Sequence, residues 1–356
     1  MTVDRQLPGR LGDPKSDLGT DPRADPRMVA ALAAIGLDRH PDPLPVSADA
    51  SREQLLEICA MAEQGFEAVF DQLLGGLAPV PGVTTETVSI DGPDGNQITL
   101  YIHRPAQADR PLPGVVHLHG GGMTILRAAN ACYRRWRDEL AASGLVVVGV
   151  EFRNGGGALG NHPYPAGLSD CVTATRWVLE HAERLGIGKV LVSGESGGGN
   201  LSLAVALRAN REGWADQIAG VYAQCPYISN QYTEPPAELA SMAENDGYFI
   251  SLDVLALMSA VYDPSGANAA DATCWPLRAS DAELAGLPPH VISVNELDPL
   301  RDEGLAYLRR LLANGVSALG RTVHATCHGG DVLLRSALPD VYAATVRDIS
   351  GFAHSR

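Results

Sequence analysis

The 356-residue sequence is poor in lysine, in aromatic side chains and in positive charge. Only Lys15 and Lys189 are lysines among 27 basic residues, a bias toward arginine that reads as coding composition and carries no functional weight. With 42 acidic residues the formal net charge is -15, which argues against a polyanionic partner because phosphate binding needs clustered Lys and Arg. Nucleic acid is therefore excluded as a partner class. The six cysteines are scattered with no C-x-x-C pair, which leaves a disulfide framework or a metal site without support and predicts buried thiols in a reducing compartment. The segment MTVDRQLPGRLGDPKSDLGTDPRADPR lacks the apolar stretch of a secretory leader, and no window approaches 18 uncharged apolar residues. A cytoplasmic protein that does not engage a membrane is the expectation.

What is present suits a globular enzyme-sized fold. Hydrophobic residues make up 45% of the chain, with 38 Gly and 24 Pro, enough for a sizeable core and many turns. The length fits one large α/β domain carrying a smaller cap. Residues 1–80 read as an N-terminal arm followed by part of a helical cap: a short apolar patch at Met28 to Leu37, then helix spacing from Arg52 to Leu74. Residues 81–226 read as the first part of the core. TTETVSI and QITLYIH flank turn formers and predict a hairpin, and strand candidates Gly114 to His119, Leu145 to Glu151, Lys189 to Ser193 and Ile218 to Gln224 follow. Helices are expected between them over about Ala128 to Ser143, Pro165 to Leu185 and Gly198 to Asn210.

Residues 227–285 form an insertion too long for a plain crossover and read as the rest of the cap. Residues 286–356 return to the core, with a strand at His290 to Asn295, a helix at Asp302 to Asn314, a strand near Gly320 to Ala325 and a helix over about Val332 to Phe352. A doubly wound, mostly parallel sheet is the natural solution to this alternation.

Gly194-Glu195-Ser196-Gly197-Gly198 matches G-x-S-x-G between a predicted strand and a predicted helix. That context suits a nucleophile elbow, in which flanking glycines let the serine take a strained conformation and project its Oγ. His119-Gly120-Gly121-Gly122 follows an apolar strand, where a loop of backbone N–H groups for an oxyanion would emerge. A phosphate-binding loop is the alternative, but neither a GK[ST] ending nor a G-x-G-x-x-G context accompanies it. His119 reads as a hydrogen-bonder that shapes the loop.

A serine nucleophile needs a base and an orienting carboxylate. Asp298 follows the strand HVISVN, with Glu296 and Asp302 as competitors: Glu296 can belong to the strand end, and Asp302 suits the first turn of the next helix. His328 follows a strand and precedes Gly329-Gly330-Asp331, whereas its rival His324 lies inside the alternating strand. The order Ser196, Asp298, His328 is that of α/β-hydrolases.

HGGG at His119, GESGG at Gly194, DPLRD at Asp298, the His-Gly pair at His328 and the stretch HPYPAGLSD together resemble the hormone-sensitive-lipase-like esterases of the α/β-hydrolase superfamily. Within that family the arm and the stretches HGGGMTIL, GESGGGNL, ENDGYFI and NELDPLRDEG are most similar to a bacterial branch acting on a macrocyclic lactone. The resemblance implies an α/β-hydrolase fold with an eight-stranded, mostly parallel sheet under a helical cap, no cofactor, no metal, and hydrolysis of a small-molecule ester or lactone. It also implies that Ser196 is the nucleophile, His328 the base and Asp298 its partner, with N–H groups of Gly121, Gly122 and Gly197 forming the oxyanion hole. Glu195 and Gly197 depart from the commoner Asp and Ala, Phe152-Arg153 stands for a tyrosine-arginine pair, and the following GGGALGNH is unusually rich in glycine. Pocket residues are expected from Tyr227 to Tyr248 and from Met61 to Phe70. Amidase, peptidase or acyltransferase chemistry, and a non-catalytic binder on the same scaffold, are the competing functions. A homodimer is the base-rate expectation for such an enzyme.

Overall fold

The computed structural model describes residues 7–108 and 110–356; Met1 to Gln6, the start of the expected arm, and Asp109 lie outside the described residues. Eight strands form one sheet in the order β1-β2-β4-β3-β5-β6-β7-β8. β1 (Val83–Asp91) and β2 (Gln97–Pro105) make the expected antiparallel hairpin, with Val88 opposite Leu100 and Ile90 opposite Ile98. β2 is antiparallel to β4 (Val146–Glu151). The remaining neighbours are all parallel: β3 (Leu112–Leu118), β5 (Ile187–Glu195), β6 (Ile218–Gln224), β7 (His290–Leu297) and β8 (Ala318–Cys327). Parallel strands covered on both faces read as continuous apolar runs, and VVVGV of β4 is buried throughout. β1, at the sheet edge, is largely exposed.

Eight helices of eight or more residues occur among the described residues: α1 (Pro26–Ala33), α2 (Arg52–Leu74), α3 (Ala131–Ala142), α4 (Ala166–Glu180), α5 (Gly197–Glu212), α6 (Leu252–Tyr262), α7 (Arg301–Ala313) and α8 (Pro339–His354). α2 starts at a capping box between Ser51 and Gln54, which satisfies orphan N–H groups reciprocally. Two helices differ from expectation. α4 stops at Glu180, because His181 leaves the helical conformation, donates its Nδ1–H to the Trp177 carbonyl at 2.8 Å and stacks on the Trp177 ring. The last helix begins at Pro339, not Val332, since proline lacks the N–H that a helix interior needs and is suited to its first turn.

The arm is buried in an apolar cluster of its own against the ends of the sheet. Leu18, Met28 and Leu32 are fully buried with Tyr248, Leu297, Cys327, Leu334 and Leu338. Asp25 N–H donates to the Ala325 carbonyl, and Cys327 N–H reaches the Met28 sulfur at 3.3 Å. Arg23 pairs with Asp21 and with Glu244, which also holds Arg301 at 2.9 Å. The arm thus braces the ends of β7 and β8, the strands that lead into Asp298 and His328. All six cysteines are buried and unpaired.

Candidate active site

Glu195 ends β5 and Gly197 begins α5, so the direction of the chain reverses at Ser196. Ser196 has φ 56° and ψ -117°, a strained conformation of the kind that costs about 1–3 kcal/mol and persists only where the surroundings enforce it. The enforcement is visible: Ser196 N–H donates to the Gln224 carbonyl at 2.9 Å, and the turn presses against β3. A Cβ at Gly198 would lie 1.9 Å from the Leu118 oxygen, and one at Gly194 would lie 2.3 Å from it. Both flanking glycines are required by this approach.

The glycine loop leaves β3 beside the elbow, with Gly121 at φ 104° and Gly122 at φ 60°. Gly120 N–H donates to Glu195 Oε1 at 2.9 Å, and Glu195 Oε2 lies 3.0 Å from His117 Nε2. Glu195 therefore ties the elbow to the glycine loop and takes the Gly120 N–H out of use. This role was not legible from the motif, where Glu195 stood only as a departure from Asp. Gly197 faces the same loop so closely that a Cβ would lie 2.6 Å from Met123 N and 2.7 Å from Gly122 N. Glycine is a steric requirement here. His119 donates from Nδ1 to the Gly120 carbonyl at 2.7 Å and stacks on Phe152 at 4.2 Å. Burial lowers its pKa to about 3, so it is a neutral structural group.

Asp298 and His328 come together from the loops after β7 and β8. His328 Nδ1 donates to Asp298 Oδ2 at 2.8 Å, and the other carboxylate oxygen accepts the Leu300 N–H at 2.9 Å. Burial opposes charge on His328, but the Asp298 carboxylate together with the Cys225 sulfur beside the ring raises the imidazole pKa above its ordinary value. The competitors are committed elsewhere. Glu296 accepts from Ala325 N–H and pairs with His324, an exposed side chain. Asp302 sits in the first turn of α7 and binds Ser241 N–H and Arg301. Asn245 Nδ2 donates to the Asp298 carbonyl at 3.2 Å and so holds that loop.

Ser196, His328 and Gly120 to Gly122 line one cleft. Its walls are apolar. Phe66 and Phe70 come from α2 as expected, whereas Met61 faces solvent. Tyr227 is the single wall residue from the stretch Tyr227 to Tyr248; the wall continues with Phe249, Ile250, Val254, Leu255 and Met258. The reason is local. Ser251 caps α6 and turns one face of LDVLALM toward the cleft, while residues 229–245 are occupied in holding Glu303, Asp302 and the Asp298 loop. The glycine-rich run after Arg153 is pinned by Glu63 of α2, whose carboxylate accepts the N–H groups of Leu126 and Ala158. Arg153 binds Asp170 and Asp94 and stays out of the cleft.

The family model for the alpha/beta hydrolase fold matches residues 115–330. The chain is 34% identical to carboxylesterase NlhH of Mycobacterium tuberculosis over 246 residues, covering 68% of this chain and 73% of that protein. It is 32% identical to esterase LipI of the same organism, covering 75% and 82%. Among solved structures, brefeldin A esterase, described as a bacterial homologue of human hormone-sensitive lipase, superposes with a TM-score of 0.94 at 49% identity, covering 98% of each chain. The chain belongs to the α/β-hydrolase fold family, in its hormone-sensitive-lipase-like esterase branch. It is a carboxylic-ester hydrolase of the serine type. No helix among the described residues is long and apolar enough to cross a membrane.

Proposed function

We propose that the chain hydrolyses uncharged, bulky esters through Ser196, His328 and Asp298, with macrocyclic lactones such as brefeldin A in its range. Ser196 Oγ attacks the carbonyl carbon while His328 takes its proton, and Asp298 orients the imidazole and stabilises its charged form. The N–H groups of Gly121, Gly122 and Gly197 receive the developing oxyanion. Collapse of the tetrahedral intermediate expels the alcohol, which takes the proton back from His328. Water activated by the same imidazole then releases the acid. In a lactone, alcohol and acid are two ends of one product.

The observation that carries the reading is the convergence on one apolar cleft of a serine held at φ 56° and a histidine bonded to a buried aspartate. The lactone part rests on likeness to brefeldin A esterase over nearly the whole chain, cap included. With it go a cytoplasmic enzyme needing no cofactor or resident metal, a homodimer, no nucleic-acid partner, and the division into arm and cap (1–80), core (81–226), inserted cap (227–285) and core (286–356). The test is turnover of p-nitrophenyl esters and brefeldin A by wild type and Ser196→Ala. The variant should fold normally and lose several orders of magnitude in rate. Turnover retained in Ser196→Ala refutes the nucleophile; esters cleaved without brefeldin A refute the lactone.

A further inference from the structure

One nucleophilic side chain near the reacting centre has no part in this mechanism. Cys225 follows β6, between the strands that lead to Ser196 and Asp298 in the sheet order, and it is 1% exposed. Its backbone has φ 34°, uncommon for a residue with a Cβ, and its N–H is fixed to the Ser293 carbonyl at 2.7 Å. The thiol is therefore held in place by a defined backbone conformation and lines the cleft with Ser196 and His328. One ligand atom from each of Cys225, Asp298 and His328 lies within 4.8 Å of the other two.

We propose that Cys225, His328 and Asp298 form a site for a thiophilic divalent cation, with Zn²⁺ as its type, and that the bound ion reversibly inhibits the enzyme. Zinc to sulfur, nitrogen and oxygen distances of about 2.0–2.3 Å put tetrahedral ligands well inside that span, so modest side-chain shifts close the site. One sulfur, one imidazole nitrogen and one carboxylate oxygen leave a fourth position for water. The thiolate and carboxylate together neutralise the dication in a site that is nearly dry. Sulfur and nitrogen donors select against Mg²⁺ and Ca²⁺, which prefer oxygen. Binding displaces the thiol proton to solvent and puts the cation on His328 Nδ1 in place of the hydrogen given to Asp298, so that the imidazole carries its one proton on Nε2. The inhibition rests on the assignment of His328 as the base, since a metal-bound imidazole cannot accept the Ser196 proton; the binding does not.

The test uses the full chain with Zn²⁺ and Co²⁺. Wild type should lose ester turnover as Zn²⁺ is added and recover it with a chelator. Cys225→Ser, each rate taken relative to its own metal-free value, should need more Zn²⁺ by at least the roughly 10- to 100-fold that follows loss of even an outer-shell partner. Co²⁺ should bind one-to-one with a near-ultraviolet thiolate-to-metal absorption in wild type and in Ser196→Ala, and without it in Cys225→Ser. That absorption needs no turnover, so it distinguishes failure of this site from failure of the hydrolytic reading. Should Cys225→Ser not fold, Cys225→Gly suits the positive φ and serves in its place. Equal Zn²⁺ sensitivity in wild type and the Cys225 variant overturns the site, as does a wild type without the thiolate absorption.

Discussion

Replacing Glu195 by Ala removes the acceptor of the Gly120 N–H at 2.9 Å and the partner of His117 Nε2 at 3.0 Å. Both groups are buried, and His117 is 0% exposed. A buried polar group left without a partner costs about 1–3 kcal/mol, so two of them destabilise the fold by roughly 2–6 kcal/mol. Against a total stability of about 5–15 kcal/mol the variant still folds in most of that range, and urea denaturation gives the loss. The catalytic effect is separate. With its tether gone the glycine loop is free to shift, and loss of one well-aimed oxyanion donor lowers kcat by about 10²- to 10³-fold. KM should change little, because the donors act on charge present only in the transition state. A trifluoromethyl ketone, which forms an oxyanion on attack by the serine, should lose affinity by the same factor as kcat/KM. Glu195→Gln supplies the control. Its amide oxygen still accepts from Gly120, and its amide nitrogen donates to His117 once the imidazole carries its proton on Nδ1, so kcat should stay within about tenfold of wild type. The tether is refuted if the alanine variant keeps kcat within about threefold, or if glutamine is as damaging as alanine.

Gly197→Ala places a Cβ 2.7 Å from Gly122 N, so the loop must retreat; kcat should fall by about 10²-fold with the fold intact, and stopped-flow acylation is the check. Wild-type acylation in that variant contradicts the steric argument. Glu303 is fully buried among neutral partners, Ile228 N–H, Ser229 and Tyr232, and burial raises its pKa from 4.5 to about 8. The folded state therefore keeps a proton that the unfolded chain has lost between those values, so stability is present below 4.5 and declines as pH rises through 8. The slope is about 1.4 kcal/mol per pH unit, on the order of 5 kcal/mol in total. Glu303→Gln removes that slope: its denaturation free energy should gain on wild type steadily from pH 5 to 8, and a constant gap speaks against a protonated Glu303.

The parts of the site that were legible in the sequence are those whose chemistry demands a local pattern. GESGG could be assigned because a strand, a strained serine and a helix must follow one another within a few residues. Asp298 could be separated from Glu296 and Asp302 because strand end, loop and helix first turn each leave a different mark. The cleft wall was harder. Residues 249–258 lie within the insertion 227–285, and nothing in LDVLALM says which neighbour its face meets. Glu195 and Cys225 gave no signal of their roles, since both depend on residues about 75 or more positions away that the sheet order brings alongside. The break before α8 is written in Pro339, which suits the first turn of a helix and not its interior.

The contact of Cys327 with Met28 joins residues 299 positions apart, one near each end of the chain. A ribosome adding about 5–20 residues per second makes the arm roughly 15–60 s before it makes β8. During that interval the apolar face of α1 lacks the part of its native contact that Cys327, Leu334 and Leu338 supply. The histidine loop is among the last segments to be made, and its brace is among the first. A nascent chain that has already folded much of its sheet therefore still lacks the His328 loop and the late partners of its earliest helix.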